Sequence, residues 1–274
     1  MGFELTGLEG KVAVITGAGR MRSIGRQIAL GYARAGVDVV ITGTGRPPER
    51  YPDDEKAAGW RDIASVADEV RALGRRALPV VSDVSSDAAV TTLLEQTLAE
   101  FGRVDFVVNN AAFARGPDRV PVVEMPIDVW DAVVRINLRG TFLMSKIFGQ
   151  HLIEAGRGGV IINISSIAGK MLPGRAAAYA ATKAGVQALA ASMAQEVGVH
   201  NIRVNAVCPG LIDTFRMDDI RGTDRWDMAV ERIPLRRPSA GEDVPNMVLY
   251  LCSDQGAWVT GQSINVDGGM VVNA

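Results

Sequence analysis

Short apolar runs recur along this chain, separated by longer amphipathic stretches, and that alternation restricts the fold more than any other feature. The runs Val12–Thr16, Asp38–Thr42, Ala77–Val81, Val104–Val108, Val160–Ile164, Arg203–Val207 and Ser263–Val266 have the length and Val/Ile content of strands. Between them the spacing predicts helices at about Ile24–Ala35, Ile63–Leu73, Asp87–Phe101, Asp128–Glu154 and Asp243–Cys252, and one that carries Tyr179 and Lys183 to about Val199. Strands that are apolar throughout are buried on both faces, as in a parallel sheet covered by helices. The expected fold is therefore α/β, a doubly wound parallel sheet flanked by helices on both faces. No linker or internal repeat divides it, so residues 1–274 read as a single domain.

Composition removes several classes of function. At 274 residues and 47% hydrophobic the chain can bury a full core. A net charge of −2 with no dense basic run argues against nucleic acid or an anionic membrane as partner. Cys208 and Cys252 are the only cysteines and His151 and His200 the only histidines, which gives no disulfide framework and no metal-ligand spacing. No metal is expected, and the cysteine usage fits a reduced cytoplasmic compartment. No apolar run approaches the ~18 residues of a membrane helix, and the N-terminus lacks a signal-peptide pattern. Met1-Gly2 with Thr6 formally matches an acylation signal, and Asn163-Ile164-Ser165 a glycosylation acceptor. Both patterns are short enough to arise by chance, and the second falls in an expected buried strand.

The turn Thr16–Gly25, TGAGRMRSIG, follows a strand and opens a helix. In that context glycines let backbone N–H groups approach a pyrophosphate at a helix N-terminus. Gly17, Gly19 and Gly25 are the natural candidates, with Ser23 and Ile24 donating backbone or hydroxyl hydrogen bonds. NAD-binding sheets usually end the second strand with a carboxylate for the ribose hydroxyls. Here that strand ends Thr42-Gly43-Thr44-Gly45-Arg46, with no acid. Arg46, with Arg20 or Arg22, can instead pair with a ribose 2′-phosphate, or these arginines are simply solvated. The reading favours NADP, with NAD as the alternative. Asp83-Val84 and Asn109-Asn110-Ala111-Ala112 lie at the carboxyl ends of later strands, where open α/β sheets bind ligands. Asp83 can meet an adenine amino group or cap the following helix. Asn137 falls inside an expected helix, where its amide is a poor helix former and can bend or hydrate it.

Tyr179 precedes Lys183 by one helical turn, so phenol and ammonium share a face and can point into one pocket. A free phenol titrates near ~10, and a base near neutrality needs a shift of about three units, roughly 4 kcal/mol. One positive charge at ~4 Å in an effective dielectric of ~20 supplies about that much.

Taken in order, Thr16-Gly17…Gly25, Asn109-Asn110-Ala111, Asn137, Ser166, Tyr179-x-x-x-Lys183, Pro209-Gly210 and Gly261-Gln262…Val266-Asp267-Gly268-Gly269 resemble a short-chain dehydrogenase/reductase over essentially the whole chain. Ser166 stands thirteen residues before Tyr179, as in that family. The resemblance implies a Rossmann-type fold and an NAD(P)-linked oxidoreductase. It assigns Tyr179 as general acid/base, Lys183 to lower its pKa and hold the nicotinamide ribose, Ser166 to polarise the substrate oxygen, and Asn137 to hold a relay water. Cofactor contacts would come from Gly17, Gly19, Arg20, Ser23, Ile24, Gly25, Thr44, Arg46, Asp83, Val84, Asn110 and Ala111. Pro209, Gly210, Ile212 and Thr214 would line the nicotinamide end, with Thr214 at the carboxamide.

Two features depart from the family pattern. The Gly-rich turn is longer than usual and places Ser23 where a glycine is expected, which resembles enoyl reductases of the same superfamily. Those space Tyr and Lys by seven residues; Ala176 lies seven before Lys183 and Val186 seven after Tyr179, so that subtype is disfavoured. The second departure is the Pro- and charge-rich excursion Gly45–Gly59, read as a surface loop rather than a flap over the 2′-phosphate.

The leading expectation is a secondary alcohol/ketone oxidoreductase acting on a small molecule. The alternatives are a reductase of 3-oxoacyl thioesters on an acidic carrier protein, docked through Arg175, Arg221 or Arg225, and a catalytically silent dinucleotide-binding sensor or scaffold. The last fits poorly with a complete Ser, Tyr and Lys set. Substrate choice is expected in the segment 211–238, where Phe215, Met217, Trp226 and Met228, with Phe113 and Leu172, suggest a largely apolar pocket. The resemblance further implies a homotetramer, with a dimer second, through the helices Asp128–Glu154 and the one carrying Tyr179.

Overall fold

The computed structural model describes residues 4–272. The acylation pattern at Met1-Gly2 lies outside them. Seven parallel strands, β1 (Val12–Ile15), β2 (Asp38–Gly43), β3 (Ala77–Val81), β4 (Phe106–Asn109), β5 (Gly159–Ile164), β6 (Ile202–Pro209) and β7 (Ser263–Val266), form one sheet in the order β3-β2-β1-β4-β5-β6-β7. The expected doubly wound α/β architecture is present.

Among the described residues ten α-helices connect and cover the strands: α1 (Ile24–Arg34), α2 (Asp53–Ala57), α3 (Ile63–Ala72), α4 (Asp87–Phe101), α5 (Ile127–Val134), α6 (Gly140–Ala155), α7 (Ala168–Met171), α8 (Ala177–Val197), α9 (Asp224–Glu231) and α10 (Asp243–Cys252). Alternate strand residues face opposite layers. Ala13, Ile15, Val39 and Ile41 pack with Ile28 and Tyr32 of α1, Val66 and Val70 of α3, and Val248 and Leu251 of α10. Val12, Val14, Val40 and Val107 pack on the other side with Leu93 of α4, Phe148 of α6 and Met193 of α8. Each helix layer thus covers a continuous apolar sheet face, the arrangement that uniformly apolar strands require.

The long helix expected over Asp128–Glu154 is interrupted. Residues Arg135–Arg139 adopt one π-helical turn between α5 and α6, centred on buried Asn137. The Asn137 amide is the cause: Oδ1 accepts from the Phe113 backbone N–H at 2.7 Å, and Nδ2 donates to Thr182 Oγ1 at 3.1 Å. A side chain tied on both ends outside its own helix makes a bulge favourable there.

The excursion after β2 also differs from a surface loop. It forms a 3₁₀ turn (Pro48–Arg50) and α2, and buries Tyr51 and Glu55 against the Gly-rich turn. Asn163 is fully buried in β5, which rules out its use as a glycan acceptor in this fold. Among the described residues no helix is long and apolar enough to cross a membrane.

Candidate active site

A cleft of about 540 Å³ opens at the carboxyl ends of the central strands, around the reversal of order between β1 and β4. Open α/β sheets bind ligands at such a switch point. Lining it are Gly17, Gly19, Arg20, Ser23 and Ile24 from the Gly-rich turn and Thr44, Arg46, Asp83 and Val84 beyond β2 and β3. Asn110, Ala111, Ser166, Tyr179, Lys183, Pro209, Gly210, Ile212 and Thr214 complete the expected set on its wall. Gly25 and Asn137 stand just behind it.

The turn is built tightly. Thr16 Oγ1 accepts from the backbone N–H groups of Asn110 and Ala111, each at 3.0 Å, while Asn110 Nδ2 donates to the carbonyls of Thr16 and Gly17. Gly17 has φ +66°, and a Cβ there would lie 2.6 Å from Ala111 Cα. A side chain at that position is excluded twice, by conformation and by space. The Ser23 hydroxyl is used internally, donating to the Arg20 carbonyl and accepting from Arg26 N at the start of α1. What Ser23 and Ile24 present to the cleft is therefore the free end of a helix, suited to a pyrophosphate. These residues fit a dinucleotide.

At the expected adenosine end, Arg46 is not a free guanidinium. Its Nη1 lies 2.9 Å from Glu55 Oε2 and its Nη2 3.1 Å from Asp62 Oδ1, and both acids are buried. Glu55 Oε1 also accepts from Met21 N, and Trp60 Nε1 donates to the Gly19 carbonyl, so the excursion clamps the Gly-rich turn. A Cβ on Gly43, at the end of β2, would stand 3.7 Å from Asp62 Oδ2. Asp62 thus sets a carboxylate beside the end of β2, where the strand itself carries none. Arg22 turns away to Asp54 and Asp218, whereas Arg20 stacks on Phe215 at 3.7 Å. Burial, then the neighbouring Arg46 charge, lowers the Arg20 pKa.

Asp83 Oδ1 accepts from Ser85 N and Oγ, while Ser86, not Asp83, caps α4. Burial is the largest influence on Asp83 and opposes its ionisation, but the Ser85 hydrogen bonds win and hold it below the ordinary value.

At the other end, β5 and α8 are locked together. Lys183 is buried, and its Nζ donates to the Ile164 carbonyl at 2.7 Å; Ser165 Oγ donates to the Lys183 carbonyl, and Gln187 Nε2 to Ser165 Oγ and the Ser166 carbonyl. These bonds set Ser166 opposite Tyr179. The Lys183 ammonium lies 5.7 Å from the Tyr179 ring centroid. Burial alone would raise the Tyr179 pKa, but Lys183, Arg216, a hydrogen bond with Ser166 and Arg119 together bring it below the phenol's usual value. Lys183 is itself lowered, chiefly by burial and against the pull of Tyr179.

A profile described as enoyl-(acyl carrier protein) reductase matches residues 17–271. The chain is a short-chain dehydrogenase/reductase. It is an enzyme of the family acting on CH–OH groups with NAD(P). Similar proteins include the 2-dehydro-3-deoxy-D-gluconate 5-dehydrogenase of Escherichia coli K12, 35% identical and covering 96% of each chain. The 3-oxoacyl-[acyl-carrier-protein] reductase of Thermotoga maritima is 34% identical, covering 97% of this chain and 99% of that one. The solved structure of a 7α-hydroxysteroid dehydrogenase with NADH and 7-oxo glycochenodeoxycholic acid superposes with a TM-score of 0.83 at 32% identity, covering 97% and 96%.

Against the sequence reading, this dehydrogenase/reductase gathers the expected residues but adds four. Asp62 and Glu55 sit at the adenosine end, and Arg119 and Arg216 beside Tyr179. Arg216 lay within the expected substrate segment; the others gave no local signal. Phe113, Phe215 and Met217 line the cleft, but Trp226 does not, and Leu172 and Met228 are exposed on the surface. The largely apolar lining therefore comes from Phe113, Phe215 and Met217 rather than from Trp226, Leu172 or Met228.

Proposed function

We propose that this enzyme interconverts a secondary alcohol and a ketone, with Tyr179 exchanging the proton of the substrate oxygen. The observation that carries this reading is the lowered Tyr179 phenol, held by Lys183 and Ser166 at the end of a dinucleotide-sized cleft. Bound NAD(P) supplies or accepts the hydride at its nicotinamide. Ser166 orients the substrate oxygen toward the phenol. Lys183 stabilises the phenolate in alcohol oxidation, and Tyr179 donates its proton in ketone reduction. Asn137 acts as the holder of the relay water through the π-turn it creates. The decisive experiment is Tyr179→Phe, which should abolish turnover on a carbonyl panel while leaving dinucleotide binding nearly intact.

For the dinucleotide, the sequence favours NADP through Arg46 and Arg20. The pairing of Arg46 with Glu55 and Asp62 supports the other choice, because a 2′-phosphate would face the Asp62 carboxylate. We therefore read NAD as preferred, with Asp62 accepting from the ribose hydroxyls. Side-by-side titration with NADH and NADPH tests this.

Reduction of a 3-oxoacyl thioester stands as a second reading, favoured by the Thermotoga maritima relative. Of the three arginines suggested for carrier docking, Arg221 is paired with Asp213, which leaves Arg175 and Arg225. For assembly we infer a homotetramer, with a dimer second. Ile127, Trp130 and Phe142 expose an apolar face along α5 and α6, and Trp258 is fully exposed near β7. Light scattering at micromolar concentration decides it. Two free buried thiols, Cys208 and Cys252, support a cytoplasmic location.

A further inference from the structure

Two guanidinium groups flank the Tyr179 ring. Arg119 Cζ stands 4.6 Å from its centroid and Arg216 Cζ 5.5 Å. With Lys183 they place three cations around one phenol. The counter-charge is sparse. Arg119 Nε approaches only its neighbour Asp118, at 3.5 Å and without a hydrogen bond, and Asp118 accepts from Gly116 N as well. Arg216 Nη1 donates to the Phe113 carbonyl at 2.7 Å, and among the described residues no carboxylate pairs with it. Arg119 Nε and Arg216 Nη2 are both buried and have no hydrogen-bond partner among the described residues.

Buried N–H groups without an acceptor are costly, and two like charges beside each other add to that cost. Burial is also the chief influence on Arg119, lowering its pKa. Arg216 lines the cleft and carries an unmatched charge there, which an anion in the cleft offsets. A planar carboxylate matches guanidinium geometry best. A neutral apolar substrate would leave that charge unmatched.

We infer that the substrate is a hydroxy acid or oxo acid whose carboxylate is seated by Arg216, away from the carbon that exchanges hydride. This deepens the alcohol/ketone reading above and rests on it. Arg216 binds and orients the acid; the proton chemistry stays with Tyr179. A carboxylate there screens the cations that lower the phenol, so binding of an acid also moves the pH profile upward relative to a neutral substrate.

The test uses the full-length enzyme with NADH and two matched sets of probes. Binding is measured by calorimetry with cyclohexanecarboxylate, cyclohexanecarboxamide and methyl phosphate. Turnover is measured with 3-oxocyclohexanecarboxylate and its methyl ester. The expected result is that the carboxylate binds about tenfold or more tighter than the amide, the scale of a charge-assisted hydrogen bond. Arg216→Met should remove that advantage and leave amide binding unchanged, with a melting temperature near that of the parent. Arg216→Lys keeps the charge but not the fork and should restore part of it. For turnover, Arg216→Met should raise KM for the acid and not for the ester. Methyl phosphate binding as tightly as the carboxylate, amide binding equal to carboxylate, no saturable binding by the carboxylate, or variants that leave acid binding unchanged would each overturn the inference. Intact arginine-dependent acid binding without turnover of either ketone leaves the seat standing and counts against the reaction assigned above.

Discussion

Arg46 Nη2 lies 3.1 Å from Asp62 Oδ1, and that contact converts an apparent phosphate-binding arginine into the partner of a buried acid. Glu55 holds the other edge of the same guanidinium, so the arginine's charge is already matched before any nucleotide arrives. Asp62 also crowds Gly19, where a Cβ would lie 1.7 Å from its Oδ1. The Gly-rich turn, the excursion and the choice of dinucleotide are therefore one mechanical unit.

Asp62→Asn should release Arg46 and remove the negative charge facing the ribose. NADPH affinity is expected to rise and NADH affinity to fall, each by roughly tenfold, the scale of one charge-assisted hydrogen bond. Fluorescence titration of both dinucleotides reads the change directly. An unaltered NADH/NADPH ratio would show that the excursion does not set the preference.

Gly19→Ala tests the same unit from the other side. Its methyl group must displace Asp62 or the Ile63 side chain 3.1 Å away, and the Trp60 bond to the Gly19 carbonyl moves with them. Weakened binding of both dinucleotides is expected, with the melting temperature lowered as well. Unchanged dinucleotide affinity would mean that the turn has slack it does not display.

The lowered Tyr179 phenol gives alcohol oxidation a defined pH dependence. With Tyr179 in the proposed role of base, the rate should climb with pH and level off above an apparent pKa below the ordinary phenol value of ~10. Lys183→Met removes a cation and leaves the opposing burial in place. The phenol then rises, and the profile must shift to higher pH as the maximal rate drops. Arg216→Met should move it in the same direction on a neutral substrate. A profile for Lys183→Met at or below that of the parent would exclude Lys183 as the source of the shift.

What the sequence disclosed and what it hid divide by the range of the interaction. The strands followed from apolar runs, and the Tyr179–Lys183 pair from helical spacing, both local properties of the chain. Asn137 was half legible: its poor helix propensity marked a fault in the long helix, but its partners Phe113 and Thr182 come from distant segments. Glu55 was hidden because the excursion's composition is that of an ordinary loop, and Asp62, just beyond it, because only the docked fold buries the two acids. Arg119 and Arg216 were hidden for a related reason. They converge on Tyr179 from separate loops, and no spacing in the sequence encodes that meeting.

If the excursion is a structural clamp, removing one buried partner of Arg46 must cost far more than removing a surface charge. Glu55 is buried and accepts from Met21 N as well as from Arg46. Glu55→Gln preserves its shape but leaves Arg46 one carboxylate short, and breaking a buried pair from one side costs about 3 kcal/mol. For a chain of this size that corresponds to a fall in melting temperature of roughly 6–12 °C. Arg61 and Asp68 supply the control, since both are mostly exposed and their ion pair is of the surface kind. Asp68→Asn should leave stability essentially unchanged. Calorimetric scans of the two variants beside the parent give both shifts. Equal shifts for Glu55→Gln and Asp68→Asn would mean that the excursion does not hold the turn.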